Sequence, residues 1–152
     1  QVDLSAGLDV TDDDWSYPNE YIGKDDVIGS YTSGSEVYQD FKEDGNKIIT
    51  YLNEINNILK NTPFKIAYRV RDEFLIYAYH KSQKSKSNNK LNESLDEMTV
   101  MKILSRIEGD ENRTGQVLSE LQSLFKDDYP NSYNKVTEMA ERLQNGYTSF
   151  WS

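Results

Sequence analysis

Residues able to do acid–base or metal chemistry are sparse in this sequence of 152 residues. It holds a single histidine, His80, and no cysteine, which excludes thiolate nucleophiles, disulfides and zinc–thiolate sites. It also lacks a GxxxxGKS/T phosphate loop, the element that cradles nucleotide phosphates with backbone N–H groups. Because no carboxylate cluster surrounds His80 in the sequence, we interpret it as a solvated residue at a helix end rather than a metal ligand. The chain on its own is therefore predicted not to be a complete enzyme.

One stretch concentrates charged residues: Arg69 and Arg71 precede the acidic pair Asp72 and Glu73 in RVRDE. An arginine guanidinium is always charged and presents a planar fork of donors that suits phosphate or carboxylate. The two acids lie in the first turn of a predicted helix, where negative charge suits the helix dipole. General acid–base catalysis is the alternative role for these acids. From the residues alone, the arginines can be ordinary surface residues paired with these or other acids.

A second unusual stretch is the C-terminal QNGYTSFWS, residues 144–152, which carries Tyr147, Phe150 and Trp151 within five residues. Terminal segments are usually polar and frayed, and the whole chain has a mean hydropathy of -0.79. Such a cluster is either tucked into a core or offered to a partner. Gly146 precedes it, and glycine accepts the positive φ with which a chain reverses after a helix.

The charge of the chain is unevenly distributed and divides it into two predicted parts. Residues 1–44 hold twelve acidic residues and two lysines, whereas residues 45–152 hold fifteen basic and fourteen acidic residues. We expect residues 1–44 to form an irregular acidic segment with one or two short strands, an insertion or linker after another domain. In this segment Trp15, Tyr17 and Tyr21 either pin it to the rest of the chain or form an exposed contact surface. Residues 45–152 are predicted to be a helical domain.

From residue 45 onward the apolar residues recur at the spacing of amphipathic helices. The clearest stripe is Ile48, Leu52, Ile55 and Leu59, and Pro63 ends that helix. Further helices are predicted over residues 67–80, from an N-capping Asp96 to residue 107, around 117–125 and over 131–145, with a polar linker at residues 81–90. The fold class is therefore predicted as mainly α, a compact bundle of about five helices.

The composition also indicates where the protein works. No apolar run approaches the length of a transmembrane helix, and the first twenty residues lack the layout of a signal peptide. The absence of cysteine fits a reducing compartment, and we expect a cytoplasmic protein without membrane contact. A net charge of -9 disfavours binding of DNA phosphates over the whole surface. Because the sequence begins with Gln1 rather than Met, we expect it to be part of a longer protein.

Three stretches, in order, resemble the C-terminal lid region of the McrB family of AAA+ NTPases, the motor subunits of modification-dependent restriction systems. FKIAYRVRDEFLIYAY (64–79) is similar to a lid-helix pattern with an arginine, a D-E pair and aromatic residues, and LDEMTVMKILSRIEGDE (95–111) to a D…KILPRI-G block. YPNSYNKVTEMAERLQNGYTSFW (129–151) is similar to a closing pattern of Y-P-x-S, a lysine, a methionine, R-L and G-F/Y-T-S-F-W. The resemblance spans roughly residues 46–151. Ser105 stands where the pattern has proline, so a kink there should be absent or weaker.

The resemblance implies a lid-like subdomain of a ring-forming GTPase or ATPase that acts with a McrC-like nuclease on modified or foreign DNA. GTP or ATP with Mg²⁺ would bind in the parent protein, and the isolated chain would hold no cofactor and catalyse nothing. The implied partners are the AAA+ core of the same parent chain, neighbouring ring subunits and the nuclease, with DNA contacted only indirectly. Arg69 matches the arginine of the lid pattern and is the implied nucleotide sensor, with Arg71 as a second candidate.

For the aromatic C terminus the resemblance favours burial. After Gly146 the chain would turn back, and Phe150 and Trp151 would fill a gap in the bundle, so that Trp151→Ala would cost roughly 3–5 kcal/mol. The alternative is docking of Tyr147, Phe150 and Trp151 onto the AAA+ core or a neighbouring subunit. A different class of function also stays open: a stand-alone helical interaction module of phage or mobile-element origin, whose acidic arm occupies a basic partner.

Overall fold

The structure, a computed structural model, describes Leu4 and residues 34–84 and 89–151. These residues are mainly helical, which confirms the predicted fold class. The helices are α1 (Gly34–Asp40), α2 (Lys42–Leu59), α3 (Tyr68–Lys84), α4 (Lys90–Met98), α5 (Glu111–Phe125) and α6 (Pro130–Leu143). Two short strands, β1 (Glu108–Asp110) and β2 (Tyr147–Ser149), pair antiparallel.

The described residues divide into two compact units. The first, the α1–α3 unit, contains the residues up to 54 together with 66–84 and 89–91. The second, the hairpin unit, contains residues 55–65 and 92–151 and thus α5, α6 and both strands. The domain boundary expected between residues 44 and 45 stays a prediction. The described residues on both sides of it, 34–44 and 45–54, belong to the α1–α3 unit.

The expectation of irregular structure up to residue 44 is wrong for its last part, because α1 begins at Gly34. Val37 and Tyr38 are buried on this helix, and the Tyr38 hydroxyl donates a hydrogen bond to Oδ1 of Asn46 at 2.6 Å. Helix formation here follows from contacts with α2 and α3 that local sequence does not reveal. The predicted strands near the N terminus and the anchoring role of Trp15, Tyr17 and Tyr21 lie outside the described residues.

The strongest helical pattern is confirmed by α2. All four residues of its predicted apolar stripe, Ile48, Leu52, Ile55 and Leu59, are fully buried. The helix ends at Leu59, where Asn61 takes a positive φ of 69° and Thr62 N–H bonds back to the Leu59 carbonyl. The amphipathic period therefore identified both the helix and its buried face.

Asp96 caps a helix, but not the helix that the sequence suggested. It lies inside α4 and is 3% exposed. Its Oδ2 accepts a hydrogen bond from Asn131 N–H at 2.9 Å and its Oδ1 from Ser132 N–H at 2.7 Å, while the Ser132 hydroxyl donates to the Asp96 carbonyl. The first amides of a helix have no acceptor within that helix. The Asp96 carboxylate, which belongs to α4, therefore caps the N terminus of α6.

The helical path after α4 is irregular, although a serine and not a proline stands at position 105, where a kink was expected to be absent or weaker. A π-helical turn (Thr99–Ile103) and a 3₁₀ turn (Leu104–Arg106) follow α4 directly. Hydroxyl groups on this path donate to carbonyls four residues earlier: Thr99 to Leu95 at 2.6 Å, and Ser105 to Met101 at 2.6 Å. Such back-bonding competes with the regular helical ladder, so the departure from α geometry needs no proline.

Asp96→Ala is expected to lower the free energy of unfolding by ~2 kcal/mol, because two amides at the start of α6 lose a charged acceptor. Urea denaturation followed by circular dichroism measures the change. The matched control is Glu120→Ala, which removes an exposed acid from α5 and should change stability by less than ~0.5 kcal/mol. A loss for Asp96→Ala no larger than that of the control would contradict the capping role.

Candidate functional site

The two arginines of the RVRDE stretch have opposite environments at the start of α3. Arg69 is exposed, whereas Arg71 is completely buried in the α1–α3 unit. The Arg71 guanidinium donates to Oδ1 of Asp72 through Nε at 3.0 Å and Nη2 at 2.8 Å. Its Nη1 donates to the Leu4 carbonyl at 3.1 Å, and its Cζ lies 4.9 Å from the centre of the Tyr68 ring. With its donors enclosed in this way, Arg71 is a structural residue, and of the two arginines Arg69 is the one accessible to a ligand.

Asp72 is as enclosed as its partner. A Cβ atom added to Gly34, the first residue of α1, would lie 2.1 Å from Oδ1 of Asp72, so α1 approaches this carboxyl as closely as only glycine permits. Burial raises the pKa of Asp72 to about 7, against the opposing effect of the Arg71 charge and hydrogen bond. A carboxyl with 1% exposure has no route to a substrate. The acid–base role considered for Asp72 therefore finds no support in this geometry.

His80 lies in α3, four residues before its end. Its Nε2 is buried and has no hydrogen-bond partner among the described residues, although the residue as a whole is only half-buried. The interpretation of a solvated residue at a helix end therefore fits its position but not this nitrogen. Burial lowers the pKa of His80, and the nearby Lys84 charge lowers it further. Within residues 34–84 and 89–151, no three acidic or histidine side chains are grouped to hold a metal ion.

The C-terminal stretch forms an ordered strand beside β1. Glu108 faces Ser149, Gly109 faces Thr148, and Asp110 faces Tyr147 in the antiparallel register. The predicted reversal after α6 is confirmed, because Gly146 has a φ of +99° and leads directly into β2. Residues 95–111 and residues 129–151 are therefore joined by main-chain pairing.

Three residues of α6 attach the C-terminal strand to the helix. The Met139 carbonyl accepts a hydrogen bond from the buried Thr148 hydroxyl at 2.7 Å. The Arg142 Nη1 donates to the carbonyls of Ser149 at 2.7 Å and Phe150 at 3.1 Å, and Lys135 Nζ lies 4.2 Å from the centre of the Phe150 ring. Lys135, Met139 and Arg142 are spaced by four and three residues, which places them on one helical face. This spacing is the signal from which the sequence could have identified them.

The expected burial of Trp151 is wrong. Its side chain is 78% exposed, Tyr147 is 53% exposed, and Phe150 is half-buried beneath Lys135. The inward-facing residue of β2 is Thr148, and the core beneath it is filled by Met139 and other residues of α6. Arg142 bonds to the backbone of Ser149 and Phe150, and Trp151 is the next residue. The backbone is therefore held up to Phe150, while the indole of Trp151 remains in solvent.

A cleft of about 820 Å³ adjoins the two strands within the hairpin unit. Tyr147 forms one side, and the other sides come from the turn after α2 and the first turns of α5; its apolar lining includes Pro63, Phe64, Ile107 and Val117. The charged residues in the lining are Glu108, Asp110 and Arg113, of which Arg113 donates a hydrogen bond to the Asn61 carbonyl. The two acids lie on the same side of the strands as the exposed tyrosine and outnumber the one cation of the lining, and Asp110 also caps α5 by accepting a hydrogen bond from Asn112 N–H at 3.3 Å.

The described residues thus form a mainly helical structure with exposed aromatic and acidic side chains on its hairpin. Comparison with known proteins places the chain in one family. The chain belongs to the family described as Domain of unknown function (DUF8727), whose model matches residues 21–147. The match includes α1 to α6 and ends at the first residue of β2. No curated protein and no solved structure matches the chain. No helix in the described part is long and apolar enough to cross a membrane.

Trp151→Ala is expected to change the free energy of unfolding by less than ~0.5 kcal/mol, because the indole is exposed. Thr148→Val keeps the side-chain shape but removes the hydroxyl that bonds to Met139, and should cost ~1 kcal/mol. Urea denaturation measures both variants. In a Trp15→Phe background, acrylamide should quench the Trp151 fluorescence as readily as that of a free indole. A loss of several kcal/mol for Trp151→Ala, or a protected indole, would contradict the exposed tail.

The raised pKa of Asp72 predicts a stability that falls as pH rises. Below pH ~4 the carboxyl is protonated in both states; above it the unfolded chain loses this proton, whereas the folded chain retains it until about pH 7. Relative to Asp72→Asn, which does not titrate, the wild type should lose more than ~1 kcal/mol between these pH values. Chemical denaturation at stepped pH measures the difference. A relative gain of the wild type over this range would show that the ion pair with Arg71 lowers the pKa instead.

Proposed function

We propose that this chain is the C-terminal helical lid of a McrB-like AAA+ GTPase or ATPase that takes part in the restriction of modified or foreign DNA. In this role it would close over the nucleotide site and contact other subunits, while the catalytic machinery lies in the AAA+ core. The proposal rests on the resemblance of three stretches of sequence. The restriction function would be that of the whole parent protein, a cytoplasmic motor that works with a McrC-like nuclease and contacts DNA only indirectly.

The observation that supports the proposal most is that the resembling positions contact each other. Asp96 of the second stretch caps the Y-P-x-S segment of the third. The side chains of the lysine and the arginine of the closing pattern, Lys135 and Arg142, contact the Phe150 ring and the carbonyls of Ser149 and Phe150. The threonine of the pattern, Thr148, bonds to a main-chain carbonyl of the same helix. A chance resemblance would have no reason to select residues that bind each other. These positions therefore serve the fold of the lid rather than its chemistry.

The proposal assigns different roles to the two arginines of α3. Arg69 is exposed near the helix N terminus and would reach the nucleotide phosphates, for which a guanidinium fork is the suitable donor. Arg71 is buried against Asp72 and Leu4 and would fix the start of α3, and so position Arg69. GTP or ATP with Mg²⁺ would bind to the core of the parent, and the chain alone would hydrolyse neither.

Arg69→Ala in the parent NTPase is expected to lower nucleotide turnover about tenfold, which corresponds to ~1.4 kcal/mol of lost transition-state stabilisation. Arg69→Lys should fail to restore the rate, because an ammonium group lacks the planar fork. Arg106→Ala, which removes an exposed arginine from the hairpin unit, is the control and should leave turnover unchanged. Steady-state phosphate release measures all three variants.

The reading frame that encodes the chain provides the first test of the proposal. A GxxxxGKS/T motif should lie roughly 150–250 residues upstream, at the distance expected for a preceding core domain. A frame without this motif, or hydrolysis of GTP or ATP by the purified 152-residue chain, would overturn the lid assignment. Wild-type turnover in Arg69→Ala would overturn the sensor role alone.

A further inference from the structure

The pairing of β1 with β2 gives the small sheet one buried and one exposed face. Gly109 and Thr148 are opposite each other and face inward: the Thr148 hydroxyl bonds to α6, and a Cβ on Gly109 would lie 2.3 Å from Oγ1 of Thr114. Side chains alternate along a strand, so Glu108, Asp110 and Tyr147 share the other face. All three are exposed. We call this set the acidic aromatic face.

The acidic aromatic face is held in place before any partner arrives. The Tyr147 hydroxyl donates a hydrogen bond to Oε2 of Glu108 at 3.2 Å, and desolvation with the Glu108 hydrogen bond and charge raises the pKa of Tyr147. The strand beneath it is fixed by its pairing with β1 and by Arg142. A surface whose side chains are already ordered loses less entropy on binding than a flexible one.

Exposed aromatic area is concentrated in the C-terminal segment that supplies Tyr147 to the face. Among the described residues, the large apolar side chains with the greatest exposure are Trp151, Tyr147 and Met101, and two of these three belong to the C-terminal segment. Clustered aromatic side chains with a polar surround are typical of docking sites. The adjoining cleft offers apolar walls at Pro63, Phe64 and Val117 for the aliphatic part of an inserted side chain.

The charges of the face select the partner. Two carboxylates beside an aromatic ring outnumber the single cation of the adjoining cleft, Arg113, and favour a cation that can stack on the ring. A guanidinium can contact the ring and a carboxylate at the same time, because its plane stacks on an aromatic ring while its forked N–H donors bond to the carboxylate. We propose that the acidic aromatic face docks an arginine side chain presented by a segment of a partner protein. The inference goes beyond the lid assignment and does not depend on it.

The test uses the 152-residue chain, labelled with ¹⁵N, and the tripeptide acetyl-Gly-Arg-Gly-amide as the probe. NMR titration should give saturable shifts of the Glu108, Asp110 and Tyr147 amides, with a millimolar Kd. The citrulline analogue, which is neutral but of the same shape, should give no localised shift. The lysine analogue should bind more weakly, because it lacks the fork.

Glu108→Gln and Tyr147→Ala should each raise the Kd about threefold, as expected for one exposed ion pair or one cation–π contact. Glu120→Gln removes the same charge from an exposed site on α5 and should leave the Kd unchanged. The dispersion of the amide spectrum verifies that each variant is folded. Equal binding of the citrulline or lysine peptide, equal effects of Glu108→Gln and Glu120→Gln, no localised shift, or binding of oligo-dT at this face would overturn the proposal.

Discussion

The carbonyl groups at the end of a short strand need donors, and in this protein a single guanidinium supplies them. Among the described residues β2 pairs with β1 alone, and the chain continues beyond the ladder at Phe150. Arg142 bonds to the carbonyls of Ser149 and Phe150, and its other terminal nitrogen bonds to Glu138 at 2.6 Å. The hydrogen bond from Lys135 lowers the pKa of Glu138, and the charges of Lys135 and Arg142 act in the same direction. Glu138 therefore stays ionised and keeps the guanidinium oriented toward the strand.

The same constraint explains why the exposed residues of the hairpin unit can be aromatic without loss of order. The backbone of the strand is held by α6, so Tyr147 and Trp151 do not have to be buried for the strand to persist. Asp96 in turn fixes the start of α6, and α6 carries the residues that hold the strand. The order of the C terminus thus depends on two polar contacts at opposite ends of one helix.

Periodicity predicted the parts of the fold that depend on burial of a helical stripe. The stripe of α2 from Ile48 to Leu59 is buried as predicted, because an amphipathic helix gains most of its stability from one apolar face. The sequence did not predict α1, since a glycine and several acids suggest a loop, while the contacts of Val37 and Tyr38 determine the helix. Asp96 was recognised as a capping residue, but the helix that it caps depends on tertiary structure.

For Trp151, the aromatic residue type favoured burial, whereas the hydrogen bonds of the backbone set its position. The Arg69 assignment rests on resemblance, and geometry adds only that Arg71 is enclosed.

The neighbours Arg71 and Asp72 each lie against a residue from the N-terminal part of the chain that the structure describes. Leu4 is tied down by its carbonyl bond from Arg71 and by the hydrogen bond from its N–H to Asn53 at 3.3 Å, and Gly34 lies against Asp72. One pair of neighbouring side chains on α3 thus positions both Leu4 and the start of α1, so a substitution of Arg71 would remove the donor to the Leu4 carbonyl and the donors to the Asp72 carboxyl together.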